Sequence, residues 1–252
     1  MELTPTQLAV AGLRDPEQDG MGRVFGGKGA SATDRLSALD KYTDSYRTWS
    51  PALISGLLQT SRYTAGAIKL QTPSLSGDEI ERRVKHRVQR TANFLGHWAG
   101  RQGTFAWFVM GEAAITQPVC NIHAHGHQLM HLLSLARNYP QLVIQILPDH
   151  ATAPTSVEPF SWFALEDGQR VGYLETAVGG WYTTAPQDTT RLHSVFSEMI
   201  GEAYTPAGSR EFIQEVLETC WGHTAEQSSS SPRTAIPRTA STLHGRRPDP
   251  LA

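Results

Sequence analysis

The sequence predicts an α+β domain: a central, antiparallel-rich sheet with helices at both ends and a disordered C-terminal tail. Three observations carry this. Aromatic and β-branched runs group in the middle of the chain, as FAWFVM at Phe105–Met110, LVIQIL at Leu142–Leu147, PFSWFAL at Pro159–Leu165 and RVGYLE at Arg170–Glu175. Segments with apolar residues every three to four positions lie on both sides of them. The last stretch, SSSSPRTAIPRTASTLHGRRPDPLA, has too few core formers to offset the entropy of ordering it. Strands grouped in this way argue for α+β rather than a doubly wound sheet.

In order, residues 1–33 read as a flexible segment, because DPEQDG and GGKGASAT are glycine-rich and polar. The body spans 34–224 and the tail 225–252. Leu36, Leu39, Tyr42, Tyr46 and Trp49 have helical spacing and predict an amphipathic helix that Pro51 helps to end. A short helix follows Thr60, with Tyr63 and Ala67 on one side. Ser76 and Glu79 form a capping box for the next helix, whose apolar line is Ile80, Val84 and Val88. Its remaining faces, rich in arginine, read as solvated. FAWFVM is a strand, Ile122–Asn138 a helix, and LVIQIL a buried strand closed by Pro148. Asp167-Gly168 marks a hairpin between PFSWFAL and RVGYLE. Two helices close the body, one carrying Leu192, Val195, Phe196, Met199 and Ile200, the other Phe212, Val216 and Leu217.

With 22 basic and 24 acidic residues the charge nearly balances, so no global field attracts nucleic acid or an anionic membrane. No apolar run is long enough to span a bilayer, and the N-terminus lacks a basic start followed by an apolar stretch. Cys120 and Cys220 are far apart, which fits buried thiols in a reducing compartment better than a disulfide framework. The expectation is a cytoplasmic protein without a membrane partner; oligomeric state stays open.

Three sets of residues could carry chemistry. His123, His127 and His131 share one face if their segment is helical; His123, His125 and His127 do so if it is extended. Either set offers imidazoles to a divalent metal, the one cofactor the sequence suggests, against the plainer reading of polar histidines at a helix start. Glu112 and Glu175 each end an apolar run, where an ionised carboxylate needs a partner. They read either as structural carboxylates or as facing a shared pocket, and as an acid–base pair if the protein is an enzyme. Aromatic side chains gather on the same segments, with Trp107, Trp162, Tyr173 and Trp181 either filling the core or lining a ligand cavity. Gly22–Gly29 follows a GxxxxGK pattern, but Gly29 stands where the magnesium-binding Ser/Thr belongs and no strand precedes it, so a phosphate loop is rejected.

Read together, GLLQT followed by Tyr63, the EIERRV helix start, FVMGEAAI with Glu112, QLMHLL, VIQILP, PFSWFAL, and GYLE followed by GG-aromatic-Tyr form an ordered series. From Leu36 to about Leu217 this series resembles the C-terminal domain of unknown function of XRE-type actinobacterial transcriptional regulators, the WhiJ-like, antitoxin-like proteins. The resemblance implies a stand-alone sensory domain that binds a small molecule or a small regulatory protein through Gln59, Tyr63 and the aromatic strands. Those regulators carry a helix-turn-helix ahead of the domain. About 33 residues precede the match here, which argues against direct DNA reading by this chain. The alternative is an enzyme of specialised metabolism that reuses the domain, with the histidines and Glu112/Glu175 in an aromatic-lined pocket.

Overall fold

The computed structural model describes residues 22–23, 36–37, 39–98, 101, 103–153, 158–176 and 179–226, with no side-chain description at 22–23, 179 and 220–226. Most of the expected flexible N-terminal segment, and the tail from 227 onward, lie outside the described residues.

Seven strands form one mixed sheet in the order β1-β7-β6-β5-β2-β3-β4. The strands are β1 (Gly22–Arg23), β2 (Thr43–Ser50), β3 (Phe105–Gly111), β4 (Leu142–Leu147), β5 (Phe160–Leu165), β6 (Arg170–Thr176) and β7 (Gly179–Thr183). The helices are α1 (Ser61–Gln71), α2 (Gly77–Trp98), α3 (Glu112–Thr116), α4 (Ile122–Asn138), α5 (Pro186–Glu202) and α6 (Pro206–Glu226). The β2–β3 and β3–β4 ladders are parallel and are bridged by helical crossovers. The β2–β5, β5–β6, β6–β7 and β1–β7 ladders are antiparallel, so the antiparallel-rich α+β reading holds.

One expectation fails. The segment read as a Leu36–Trp49 helix is helical only at Leu36, Ser37, Leu39 and Asp40, and Thr43–Ser50 is strand β2. β2 lies between β3 and β5 and is covered on both faces, so its burial pattern does not alternate. Tyr46 and Trp49, three residues apart, are buried in opposite layers, and the spacing that mimicked a helix comes from this two-sided burial. Thr43, Tyr46, Thr48 and Trp49 are β-formers, and here propensity was the better guide.

The Asp-Gly hairpin is present: Gly168 has φ of 84°, the left-handed region glycine enters without a Cβ penalty, and Asp167 Oδ1 accepts from Gln169 N at 3.1 Å. Thr60 caps α1 through its side chain, and Ser76 Oγ accepts from Glu79 N at 3.3 Å at the start of α2.

The sheet separates two apolar layers. On the first face, Tyr46, Phe108, Phe163, Val171 and Tyr173 pack with Phe94 and Trp98 of α2 and with α4 and α6. Tyr46 sits at its centre, 5.0 Å from the Phe163 ring and 5.7 Å from that of Phe94. On the second face, Trp49, Val109, Leu147 and Phe160 pack against Phe196 and Met199 of α5.

Candidate functional site

The site begins with the turn before α1. Gly56–Leu58 is a single 3-10 turn that sinks Leu57 and Leu58 into the core. A turn driven inward leaves backbone polar groups to be satisfied, and three side chains do so. Gln59 Nε2 donates to the Ile54 carbonyl at 2.6 Å. From α4, Gln128 Nε2 donates to the Leu58 carbonyl at 2.7 Å, while its Oε1 accepts from Thr60 N at 2.6 Å. The Tyr63 hydroxyl accepts from Ile54 N at 3.2 Å, and burial pushes its pKa up to about 12. Gln59 and Tyr63 therefore lie where a ligand loop was expected, but their own groups are spent holding it.

Gln59 leads onward to α2. Its Oε1 accepts from Thr64 Oγ1 at 3.1 Å and from Arg87 Nη1 at 3.0 Å. The Arg87 guanidinium lies across the turn; a Cβ on Gly56 would stand 3.6 Å from its Nε. One helical turn further along, Arg90 makes a two-pronged ion pair with buried Asp40, Nε to Oδ2 at 2.8 Å and Nη2 to Oδ1 at 3.1 Å. Burial works against the Arg90 charge and Asp40 more than offsets it, so the pKa rises. Arg87 has no such partner: its one hydrogen bond is to a neutral amide, and among the described residues no carboxylate forms an ion pair with it. Burial lowers its pKa, opposed chiefly by the more distant charge of Glu175.

Strands β2, β5 and β6 supply the floor. The Tyr46 hydroxyl, Ser161 Oγ and Thr48 Oγ1 form a chain with 3.0 Å links that ends on the Phe160 carbonyl at 3.1 Å. Tyr173 projects from the same face. Its ring is buried, its pKa is raised by burial and then by Glu175, and its hydroxyl neither bonds within the described protein nor is sealed from solvent. Glu175, two residues along β6, has its exposed side chain on the same side. Arg87, Tyr173 and Glu175 thus form a polar cluster on this side of the sheet, near enough for their charges to act on one another, and among the described residues no ion pair joins Arg87 to Glu175 and no hydrogen bond holds the Tyr173 hydroxyl.

This arrangement unites three of the residues singled out from the sequence, Gln59, Tyr173 and Glu175, and adds Arg87 and Arg90. The arginines were missed because the α2 basic run was read as solvated. Arg82 and Arg83 are solvated, pairing with Glu79 at the surface. The inward stripe is Arg87, Thr91, Phe94 and Trp98, at helical spacing; Val88 of the expected apolar line is 41% exposed. That stripe was the available signal.

The other candidates lie elsewhere. Glu112 opens α3 beyond β3, and its Oε2 accepts from Asp149 N at 3.1 Å. β2 and β5 separate its strand from that of Glu175, a gap of roughly 14 Å at the usual strand spacing. The two carboxylates do not share a pocket. Trp107 and Trp162 are on the second face, where their Nε1 groups donate to Gln145 Oε1 at 2.6 Å and the Thr189 carbonyl at 3.0 Å. Trp181 pairs with Leu174 in register on that face. The aromatic residues thus divide between two layers instead of lining one cavity.

The histidine segment is helical. His123, His127 and His131 follow one face of α4, and His125 points the other way, fully buried, with Nε2 2.7 Å from the Ile115 carbonyl. Burial lowers the His125 pKa. Among the described residues no group of three His, Cys, Asp or Glu side chains is placed to hold a metal ion. No described helix is long and apolar enough to cross a membrane.

A separate groove of about 700 Å³ lies between α1, the start of α2 and the start of α4, lined by residues including Leu70, Ile80, Val119 and Cys120. Arg62, Lys69 and Asn121 also contribute to its lining.

A family described as Domain of unknown function (DUF5753) matches residues 33–215. No curated protein and no solved structure matches the chain.

Proposed function

The chain belongs to the DUF5753 family, and we propose that its body is a sensory domain that binds a small polar effector at the Arg87–Tyr173–Glu175 cluster beside α2 and the β2–β5–β6 face. One observation carries the reading. Arg87 is a half-buried guanidinium held over the GLLQ turn with a single neutral hydrogen bond, on the side of the sheet that carries Tyr173, whose hydroxyl has no hydrogen-bond partner among the described residues. Burying a charge without a counter-charge costs several kcal/mol by order of magnitude, and a ligand oxyanion would recover much of that. The resemblance to XRE-type regulators supports a role in regulation, exerted through the effector and a small partner protein. The enzymatic alternative loses its acid–base pair, since Glu112 and Glu175 stand apart.

Thermal-shift screening of polar metabolites on wild type and Arg87→Gln tests this. An effector at about a hundred times its Kd stabilises by roughly 2.7 kcal/mol, a shift of several degrees for a domain of this size. The wild type should respond and Arg87→Gln should not. A panel whose hits shift both proteins equally would remove this cluster from the function.

A further inference from the structure

The groove between α1, the start of α2 and the start of α4 has a chemistry of its own. Along α1 its wall is a stripe at helical spacing, Arg62, Gly66, Lys69 and Leu70, which sets two cations roughly 10 Å apart along the axis. At the middle of that wall a Cβ on Gly66 would stand 2.8 Å from Cys120 Cβ, so Val119 and Cys120 lie directly against the helix. Leu70 is 59% exposed, the most open large apolar side chain among the described residues, and it lines the groove together with Ile80 and Val119. The polar side chains here offer donors. Arg62 and Lys69 are exposed, and among the described residues neither side chain forms an ion pair or a hydrogen bond. Asn121 Oδ1 accepts from Ala124 N at 2.8 Å, which leaves its amide N–H groups. No acidic side chain is among the described residues that line the groove.

Two cations beside an apolar wall, with no acid to balance them, select for a ligand with an apolar body and a negative end. An apolar amine would meet two like charges, and a bare anion would leave the apolar wall in water. The groove, at about 700 Å³, falls within the range of small-molecule sites, roughly 300–1,000 Å³. We infer that this groove, separate from the Arg87 cluster, is a second binding site and takes a free single-chain amphiphilic acid, a medium-chain carboxylate. The chain lies on Leu70, Ile80 and Val119, and the carboxylate is held at the rim by Arg62 or Lys69, with Asn121 as a neutral donor. Because both cations are exposed, their charge contributes selectivity more than strength, and apolar contact supplies most of the affinity.

Isothermal titration of the full chain with hexanoate, octanoate and decanoate, each below its micellar concentration, tests this, with decylamine as the control of opposite charge. Every two added carbons should tighten binding by about tenfold, close to what burying two methylenes supplies. Decanoate should bind about tenfold tighter than decylamine, and joint Arg62→Gln and Lys69→Gln substitution, at exposed side chains, should bring the two within about twofold. Leu70→Gln should weaken decanoate binding about fivefold. Bound decanoate should also slow alkylation of Cys120 by iodoacetamide, read by peptide mass spectrometry with Cys220 as the reference in the same sample. Equal binding of decanoate and decylamine to wild type would overturn the acid. Decanoate binding that leaves Cys120 alkylation unchanged and persists in the substituted proteins would place it elsewhere and overturn the site. A flat decanoate titration overturns the proposal outright, whether the groove then meets a lipid surface, by co-sedimentation with phosphatidylglycerol vesicles, or a second copy of the chain, by a change in sedimentation velocity on Leu70→Gln.

Discussion

Asp40→Asn should be among the more damaging single changes near the α2 arginines, although it removes no atom from the core. Asp40 accepts two charge-assisted hydrogen bonds from Arg90, at 2.8 and 3.1 Å, with side-chain exposures of only 7% and 14% for the pair. Hydrogen bonds involving a charged group contribute about 1.5–3 kcal/mol each, and removing one partner of a buried pair costs ~3–5 kcal/mol because the other charge is stranded. Arg90 is not fully sealed, so water offsets part of the loss and the lower end, about 3 kcal/mol, is expected. Arg87, one turn away, adds to the repulsion on the stranded charge. With a urea m-value of roughly 2 kcal/mol/M, the midpoint should fall by about 1.5 M. Replacing both partners, Asp40→Leu with Arg90→Met, should restore most of the stability, since no charge is then buried alone. Urea unfolding followed by far-UV circular dichroism reads all three proteins. A loss under ~0.5 kcal/mol for Asp40→Asn, the range of ordinary surface changes, would refute the assignment of this pair as structural.

Gly111→Ala should cost on the order of 3 kcal/mol, because the new Cβ would run into the Pro51 carbonyl, whose carbon would be 3.1 Å away, and backbone does not yield cheaply. Gly172→Ala should cost less, since the nearest atom there is the flexible end of Leu192; a reversed ranking in thermal midpoints would contradict the packing at the end of β3. Buried His125 has a depressed pKa in the folded state, so below its ordinary value near 6.5 the unfolded chain binds a proton that the folded chain does not. Stability therefore falls as pH drops below that value, and the slope flattens again once pH passes the folded pKa. His97, His131 and His193 are shifted the same way by burial and add to the trend. His125→Gln should reduce the slope of unfolding free energy between pH 7 and pH 5 by up to ~1.4 kcal/mol per pH unit, and an unchanged slope would mean His125 does not titrate with unfolding.

What could be read beforehand depended on how local the cause was. Caps, the Asp-Gly hairpin and the short apolar strands are set by neighbouring residues, and Thr60, Ser76 and Gly168 marked their elements correctly. β2 was misread because its pattern depends on which elements cover it, and two-sided burial erases the alternation by which a strand is recognised. Face assignment was the other obstacle. Trp162 and Tyr173 lie on neighbouring strands, yet they project into opposite layers, a fact set by register alone: Trp162 sits opposite Gly172. No single-sequence pattern gives that register across a turn with enough certainty to group side chains into one pocket.

The two arginines of α2 show how partners, rather than residue type, mark a candidate binding group. Arg87 and Arg90 share a helix face and come from the same basic run. Arg90 is closed off by Asp40, and its environment would be complete without any ligand. Arg87 is presented by Gln59, itself fixed by Ile54 and Thr64, so the turn holds a cation in place without neutralising it. A fold under selection for stability alone has a simpler solution at such a position, since an aliphatic side chain of similar volume avoids the desolvation of a lone charge. The GLLQ turn, the α4 glutamine behind it and the uncommitted Tyr173 hydroxyl all become intelligible together if the counter-charge arrives from outside.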